Sequence, residues 1–382
     1  MSAAATGDLS VRPISERQHL DLLGTRRAAS FLQTPAWGRV KTEWRAESLG
    51  WFAGAELVGA GLVLHRRLPR LRRTLAYLPE GPLIDWDTDD LGHWLDPMTA
   101  HLRAQGAFGI RMGPPVVTRR WQPATIKRGL ADPELARLGE VPADVTEPVG
   151  RRVVDQLRAA GWRQQVARDG GFTAGQPQYV FQVPLRRPDG QQRSEHDLLA
   201  AMNQQWRRNI KKAAKAGVAV RTGGRDDLGA FHTLYAETAA RDGFTPRPPA
   251  YFDTMWDALG AESPDRIALY LAEHDGVLVA ATVLVRVGEH AWYSYGASTT
   301  AKRDVRGSNA AQWQMLRDAR ASGAAVYDLR GITDTLVEAD PHVGLLTFKV
   351  GTGGEAVEYA GEWDLPLSRP LYAAFDLYMR RR

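Results

Sequence analysis

The sequence predicts a mixed α/β (α+β) chain built from two similar units in tandem, and three observations predict it. The chain has 382 residues, room for two or three domains at about 150 residues each. Hydrophobic residues make up 44% and charged residues 24%, a globular composition with enough apolar material for a core. Two stretches, Glu56 to Leu64 and Gly276 to Val285, look like distant copies of one element.

The first copy follows the turn Phe52-Ala53-Gly54 and the second follows His274-Asp275-Gly276. Each therefore reads as a tight hairpin opening into a buried strand of small residues. Behind the first come a strand over Thr74 to Leu78 and a helix near Leu91 to Ala104. Behind the second come a strand over Ala291 to Gly296 and a helix over Ala310 to Ala321. Between the copies, Val117 to Pro148 is rich in Arg, Pro and Glu and reads as an insertion. Val153 to Trp162 has helical spacing closed by Gly161, and Tyr179 to Val183 reads as a strand. The last 20 residues, with Tyr372, Phe375 and Leu377, read as an amphipathic helix that returns to the first domain. The boundary falls near residues 175 to 185, giving 1–177 with 361–382 as one domain and 178–360 as the other. Strand, turn, strand, strand, helix in that order resembles an acyltransferase core of the GNAT type, and two tandem GNAT-like domains fit the length.

Cysteine is absent, which excludes disulfides, thiolate metal sites and a cysteine acyl-enzyme. The nine histidines form no H-E-x-x-H, so no metal site is expected. There is no G-x-S-x-G elbow, Walker A loop or strand-linked G-x-G-x-x-G, and Gly351 to Gly354 reads as a turn. The longest uncharged apolar run, Gly276 to Val285, is about half the roughly 20 residues a helix needs to cross a bilayer. The start MSAAATGDLS lacks the basic and apolar regions of a signal peptide, so a cytoplasmic location is expected. Lys plus Arg total 49 against 44 acidic residues, a net charge of +5 and a pI near 9.4. The excess is local: Arg66, Arg67, Arg70, Arg72 and Arg73 fall within eight residues, and Arg207, Arg208, Lys211, Lys212 and Lys215 within nine. Such density suits phosphates, nucleic acid or an anionic membrane surface.

Five segments hold residue types able to do chemistry, each with a plain structural alternative. Asp197 to Val218 has apolar positions at helical spacing and places Arg207, Lys211 and Lys215 on one face, either a solvated basic face or a contact for phosphate or RNA. Arg241 to Phe252 is a loop stiffened by three prolines, and its arginines suit bidentate phosphate or carboxylate binding or an ion pair that pins the loop. Tyr293 and Tyr295 alternate along a strand and are expected to share a face, as ligand-orienting hydroxyls or as half-buried core. Arg303 to Ala310 has the shape of an anion-binding loop at a helix N-terminus, and Ser308 or Asn309 serves equally as an N-cap. Lys349 lies in the strand-like run Gly344 to Gly351, as a cation for an oxyanion or phosphate or as a snorkelling lysine.

Taken in order, these segments resemble the Fem family of aminoacyl-tRNA-dependent peptidyltransferases (FemA/FemB/FemX). The likeness rests on Phe31 to Lys41, Tyr77-Leu78-Pro79-Glu80-Gly81-Pro82, Trp206 to Ala213, Arg241 to Tyr251, Tyr293 to Gly296, Tyr327-Asp328-Leu329-Arg330-Gly331 and Gly344 to Lys349. It looks closest to actinobacterial FemX-like members that form peptidoglycan bridges. The resemblance implies two GNAT-like domains, and no 50-residue heptad segment is present to form the coiled-coil helical arm of some members. It implies transfer of an amino acid, glycine first among them, from charged tRNA to the position-three amine of a UDP-linked or lipid-linked muropeptide. The only co-substrate is aminoacyl-tRNA, no cofactor is needed, and peripheral contact with the inner membrane face follows from a lipid-linked acceptor. It implies that Lys41 and Arg247 bind the acceptor's diphosphate, that Tyr251, Tyr293 and Tyr295 line the acceptor site, and that Phe348 and Lys349 meet the tRNA end, with Lys349 nearest the chemistry. Arg207, Lys211 and Lys215 would hold the tRNA. Relatives often carry an Asp in the segment that here reads Ile110-Arg111-Met112-Gly113-Pro114, so an aspartate base at that place is excluded. Three other readings stay open: a tRNA-dependent amide-forming enzyme of natural-product biosynthesis, an acyl-CoA N-acyltransferase and a non-catalytic RNA-binding protein.

Overall fold

The computed structural model describes residues 8–68, 71–165, 175–340 and 342–380; Arg70 and the first seven residues lie outside them. The chain forms two compact units, residues 1–120, 143–179 and 357–382, and residues 121–142 and 180–356.

In the first unit the apolar run after Gly54 forms a hairpin. Strands Arg45–Ala53 and Glu56–Arg67 pair antiparallel across the turn Gly54-Ala55, where Gly54 adopts φ 59°. The sheet continues with Thr74–Leu78 and then Ala107–Met112, which run parallel and are joined by helix Gly92–Ala104. Parallel neighbours need such a crossover. Trp51, Met98, Leu102, Ile110 and Trp363 fill the core. The final helix, Arg369–Arg380, packs Tyr372 and Phe375 against Phe108, whereas Leu377 is 51% exposed and lies off the apolar face.

The stretch Val117 to Pro148 is more regular than its composition suggests. It contains strand Val117–Trp121, helix Pro123–Ala131 and strand Val145–Thr146. Trp121, Ile126 and Leu138 are fully buried, and these few anchors order a polar segment.

The second unit repeats the hairpin with strands Ile267–His274 and Val277–Val287 across Asp275-Gly276. Its sheet runs from Ala219–Gly223 through these two strands to His290–Ser298 and Val326–Ile332. Helix Gly307–Ala321 is the crossover between the last two, which are parallel. Two expectations are corrected here. Asp197 to Val218 is not one helix but two, Glu195–Ala201 and Gln204–Lys215, because Asn203 accepts from the Trp206 amide at 2.8 Å and starts the second. Lys349 lies not in a strand but in helix Val343–Val350, since a short apolar run has no period that separates the two. The longest helices among the described residues have 15 residues, so no helical arm interrupts either unit there.

Candidate functional site

The central strands of the second unit part company at one point. His290–Ser298 and Val326–Ile332 pair only from His290 to Trp292 against Val326 to Asp328, then continue without pairing to each other. Asp328 sits at this fork, 1% exposed. Its carboxylate accepts from Gln182 Nε2 at 3.0 Å, His290 Nε2 at 3.2 Å and the Arg330 backbone N–H at 2.6 Å. Burial alone would push this carboxyl up; the His290 hydrogen bond and the charges of His290 and Arg330, with Gln182, hold it below the ordinary carboxylate value. The short Asp328 bond bends the chain into a left-handed turn at Arg330, φ 62°.

Lys349 lies under this turn, 4% exposed. Its Nζ donates to the carbonyl oxygens of Gly331 at 2.7 Å and Arg330 at 3.3 Å. Burial lowers its pKa to about 7, against the attraction of Asp328. Such an amine is half protonated near neutral pH, and it can stabilise developing negative charge or exchange a proton.

A second group of expected residues does come together. Helix Pro249–Glu262 begins after the proline-rich loop and places Tyr251 against Tyr295, whose hydroxyl donates to the Tyr251 hydroxyl at 3.0 Å. The Arg247 guanidinium lies 5.4 Å from the Tyr251 ring centroid, and Arg247 O accepts from His232 Nε2 at 3.0 Å. Tyr235 and Phe252 close the cluster around Tyr295. Burial pushes the Tyr251 hydroxyl well above its ordinary pKa, so it stays protonated as a hydrogen-bonding group.

Tyr293 does not join it. Tyr295 pairs with Val283, but Tyr293 pairs with Leu284, which leaves Ser294 as the extra residue of a β-bulge. Tyr293 therefore faces the opposite side of the sheet, where burial pushes its hydroxyl up to about 12 beside Gln312. Period-two alternation fails because of one inserted residue. Gly296 is needed at this bulge: a Cβ there would meet the Tyr293 Oη at 1.8 Å. Gly296→Ala is expected to cost about 1–3 kcal/mol by overpacking, read as a fall in Tm, and Tyr293→Phe in the same chain should recover part of it.

The expected RNA-facing residues divide. Lys211 and Lys215 are exposed on helix Gln204–Lys215. Arg207 instead turns back to the carbonyl oxygens of Leu199, Ala200 and Met202, where it caps helix Glu195–Ala201. Phe348 is 36% exposed, with its ring 4.8 Å from that of Trp206, whose Nε1 donates to Phe348 O at 2.8 Å. The loop expected to bind an anion ends in Arg306, φ 62°, and no side chain caps helix Gly307–Ala321. The capping role open to Ser308 and Asn309 is thus not taken.

In the first unit, Lys41 ends helix Pro35–Val40 with its ammonium 4.8 Å from the Trp37 ring centroid. Two of the sequence motifs lock together there. Gln33 Nε2 donates to Pro79 O at 2.7 Å, and Ser30 Oγ donates to Glu80 Oε2 at 2.5 Å. Arg111 forms a bidentate pair with Asp364, both bonds at 2.7 Å. Near Gly113 stands a carboxylate that sequence reasoning missed. Glu362, 4% exposed, accepts from the Tyr77 hydroxyl at 2.5 Å, and burial pushes its pKa up despite that bond and Arg111. Nothing local in the sequence announces it, because Tyr77 and Glu362 are distant along the chain. The Asp328, His290 and Gln182 group was missed for the same reason.

Among known proteins, the FemAB family model matches residues 14–275 and 266–380. The lipid II:glycine glycyltransferase of Staphylococcus aureus (strain MRSA252) is 22% identical over 436 aligned positions, spanning 95% of this chain and 94% of that protein. The crystal structure of FemX superposes with a TM-score of 0.78 at 21% identity, covering 96% of this chain and 99% of that one. A tandem GNAT protein from the clavulanic acid biosynthesis pathway superposes with a TM-score of 0.50 at 11% identity, covering 94% and 98%. The fold is thus that of two tandem GNAT-like units.

Proposed function

Because the chain belongs to the FemAB family, we propose that it is an aminoacyl-tRNA-dependent aminoacyltransferase that adds an amino acid, glycine in the first instance, to the position-three amine of a peptidoglycan stem peptide. The observation that carries the reading is Lys349, a buried amine held on two backbone carbonyls at the fork of the central strands. The likeness to lipid II:glycine glycyltransferase supports a lipid-linked acceptor, reached by peripheral contact with the inner membrane face.

An aminoacyl ester is already activated, so the stem amine attacks its carbonyl carbon directly. The new C–N bond forms, the C–O bond to the ribose breaks, and the proton lost by the amine passes to the departing ribose oxygen. No cofactor and no covalent enzyme intermediate enters this balance. The protein contributes positioning and charge stabilisation. Lys349 faces the oxyanion of the tetrahedral intermediate. Within the second unit, Arg247 holds a phosphate of the acceptor, while Tyr251 and Tyr295 line the acceptor site. Tyr293 acts from behind the strand by fixing its bulge. Phe348 meets the RNA end, and Lys211 and Lys215 take RNA phosphates.

The test incubates purified protein with charged tRNA and either a lipid-linked or a UDP-linked stem peptide, with and without RNase. An amide product that forms on at least one acceptor and disappears after RNase supports the reading; a product that survives RNase contradicts it. The double variant Lys211→Gln, Lys215→Gln should lower the slope of log K against log salt for RNA by about 2, one for each phosphate contact, with the KM for the acceptor unchanged.

A further inference from the structure

We propose that the outward face of helix Arg369–Arg380, together with the adjoining end of the hairpin Glu56–Arg67 and Thr74–Leu78, docks on an anionic lipid surface. This deepens the membrane contact of the function proposed above by naming the surface that makes it, and it rests on that reading for its purpose.

The charge comes from the hairpin. From His65 to Leu75 the sequence holds no acid, and Arg66, Arg67, Arg72 and Arg73 are all exposed. Arg67 stands opposite Thr74, and Leu68 N–H donates to Arg73 O at 2.9 Å, so the two pairs of arginines lie on neighbouring stretches of chain. Arg66 lies over the Trp44 ring at 5.6 Å, but no guanidinium of the four makes an ion pair or hydrogen bond among the described residues. Elsewhere in this unit an exposed arginine finds an acid, as Arg39 does with Glu16 at 2.6 Å. Four cations held close together without acids repel one another, and an anionic layer relieves that repulsion.

The apolar part comes from the helix. A helix on the outside of a protein ordinarily turns charged side chains to water. Helix Arg369–Arg380 packs Leu371, Tyr372 and Phe375 inward, yet its outward positions include Ala373, Ala374 and Leu377, the last 51% exposed. Asp376 is the one acid among its 12 residues. The helix thus presents apolar side chains outward as well as inward, which suits a headgroup layer better than water. Leu71, 46% exposed, adds a second open apolar side chain next to Arg72 in sequence. Leu68 packs in the same cluster as Leu371 and Phe375, so the hairpin end and the helix adjoin. Twelve residues fall short of the roughly 20 that cross a bilayer, so the helix lies along the surface. Exposed leucines among arginines fit lipid better than RNA, whose phosphates give them nothing to pack against, and like charge opposes a second copy of this chain.

Co-sedimentation of the whole protein with lipid vesicles tests this with neither donor nor acceptor present. Phosphatidylcholine vesicles containing about 30% phosphatidylglycerol should bind the wild type, pure phosphatidylcholine vesicles should bind it far more weakly, and added salt should weaken the binding. Arg72→Gln combined with Arg73→Gln should lower the partition coefficient roughly 25-fold, about fivefold for each charge. Leu377→Ser keeps the charge and should lower it about five- to tenfold through lost apolar burial. These side chains are exposed, so both variants should keep the wild-type Tm. Equal binding to neutral and anionic vesicles, no binding to either, or wild-type binding by both variants would overturn the proposal. So would self-association or RNA binding that the substitutions abolish while vesicle binding is untouched. Both variants should also slow transfer to a lipid-linked acceptor in the anionic vesicles and leave transfer to a soluble UDP-linked acceptor at the wild-type rate. A wild type that binds vesicles yet transfers to neither acceptor would overturn the proposed function, whereas full transfer without vesicle binding overturns only this surface.

Discussion

Replacing Lys349 by methionine is expected to lower the rate of aminoacyl transfer by about 10²–10³-fold, the loss typical of one oxyanion donor. Methionine fills a similar volume, so the helix Val343–Val350 should persist. Single-turnover transfer from aminoacyl-tRNA measures the effect, and near-normal turnover would remove Lys349 from the mechanism. The pH dependence separates a charged role from a packing role. Lys349 is held at about 7, so its ammonium form declines through neutrality and the rate should fall on the alkaline side. Lys349→Arg, which stays charged, should lack that alkaline fall. Stability moves the other way. The unfolded chain holds this lysine near 10.5 and the folded chain near 7, so between those values the unfolded chain binds more protons. The contribution of Lys349 to stability therefore rises with pH across that window. The difference in Tm between wild type and Lys349→Met should shift in favour of the wild type as pH rises from 7 to 10.

Asp328→Ala is expected to destabilise the protein by about 3 kcal/mol, the largest single loss of stability we anticipate. The substitution removes the one buried carboxylate to which Gln182 Nε2, His290 Nε2 and the Arg330 N–H now donate. It also removes the negative charge that attracts Lys349, whose pKa should fall further. Chemical denaturation measures the first effect and the pH–rate profile the second. A loss below about 0.5 kcal/mol, the range of ordinary surface substitutions, would show that other groups hold the fork.

The hairpins were legible because each joins a long apolar run to a Gly-containing turn, and Glu56–Arg67 and Val277–Val287 are indeed buried strands. The crossover helices were legible from their spacing, although Gly307–Ala321 starts three residues before the expected Ala310. What failed depended on single residues or on distant partners. One extra residue, Ser294, separates Tyr293 from Tyr295. One cap, Asn203, divides a long helical pattern. Arg207 has the same spacing as Lys211 and Lys215, but the preceding helix terminus takes its guanidinium. Asp328 and Glu362 acquire their character from burial among residues far along the chain, which no local pattern records.

The most direct measurement follows the atoms. The protein is given tRNA charged with isotopically labelled glycine, together with an unlabelled stem-peptide precursor, and the product is weighed and fragmented. The account predicts one labelled residue joined by an amide to the position-three amine. Label that stays on the RNA while a CoA thioester acylates the same acceptor would contradict it.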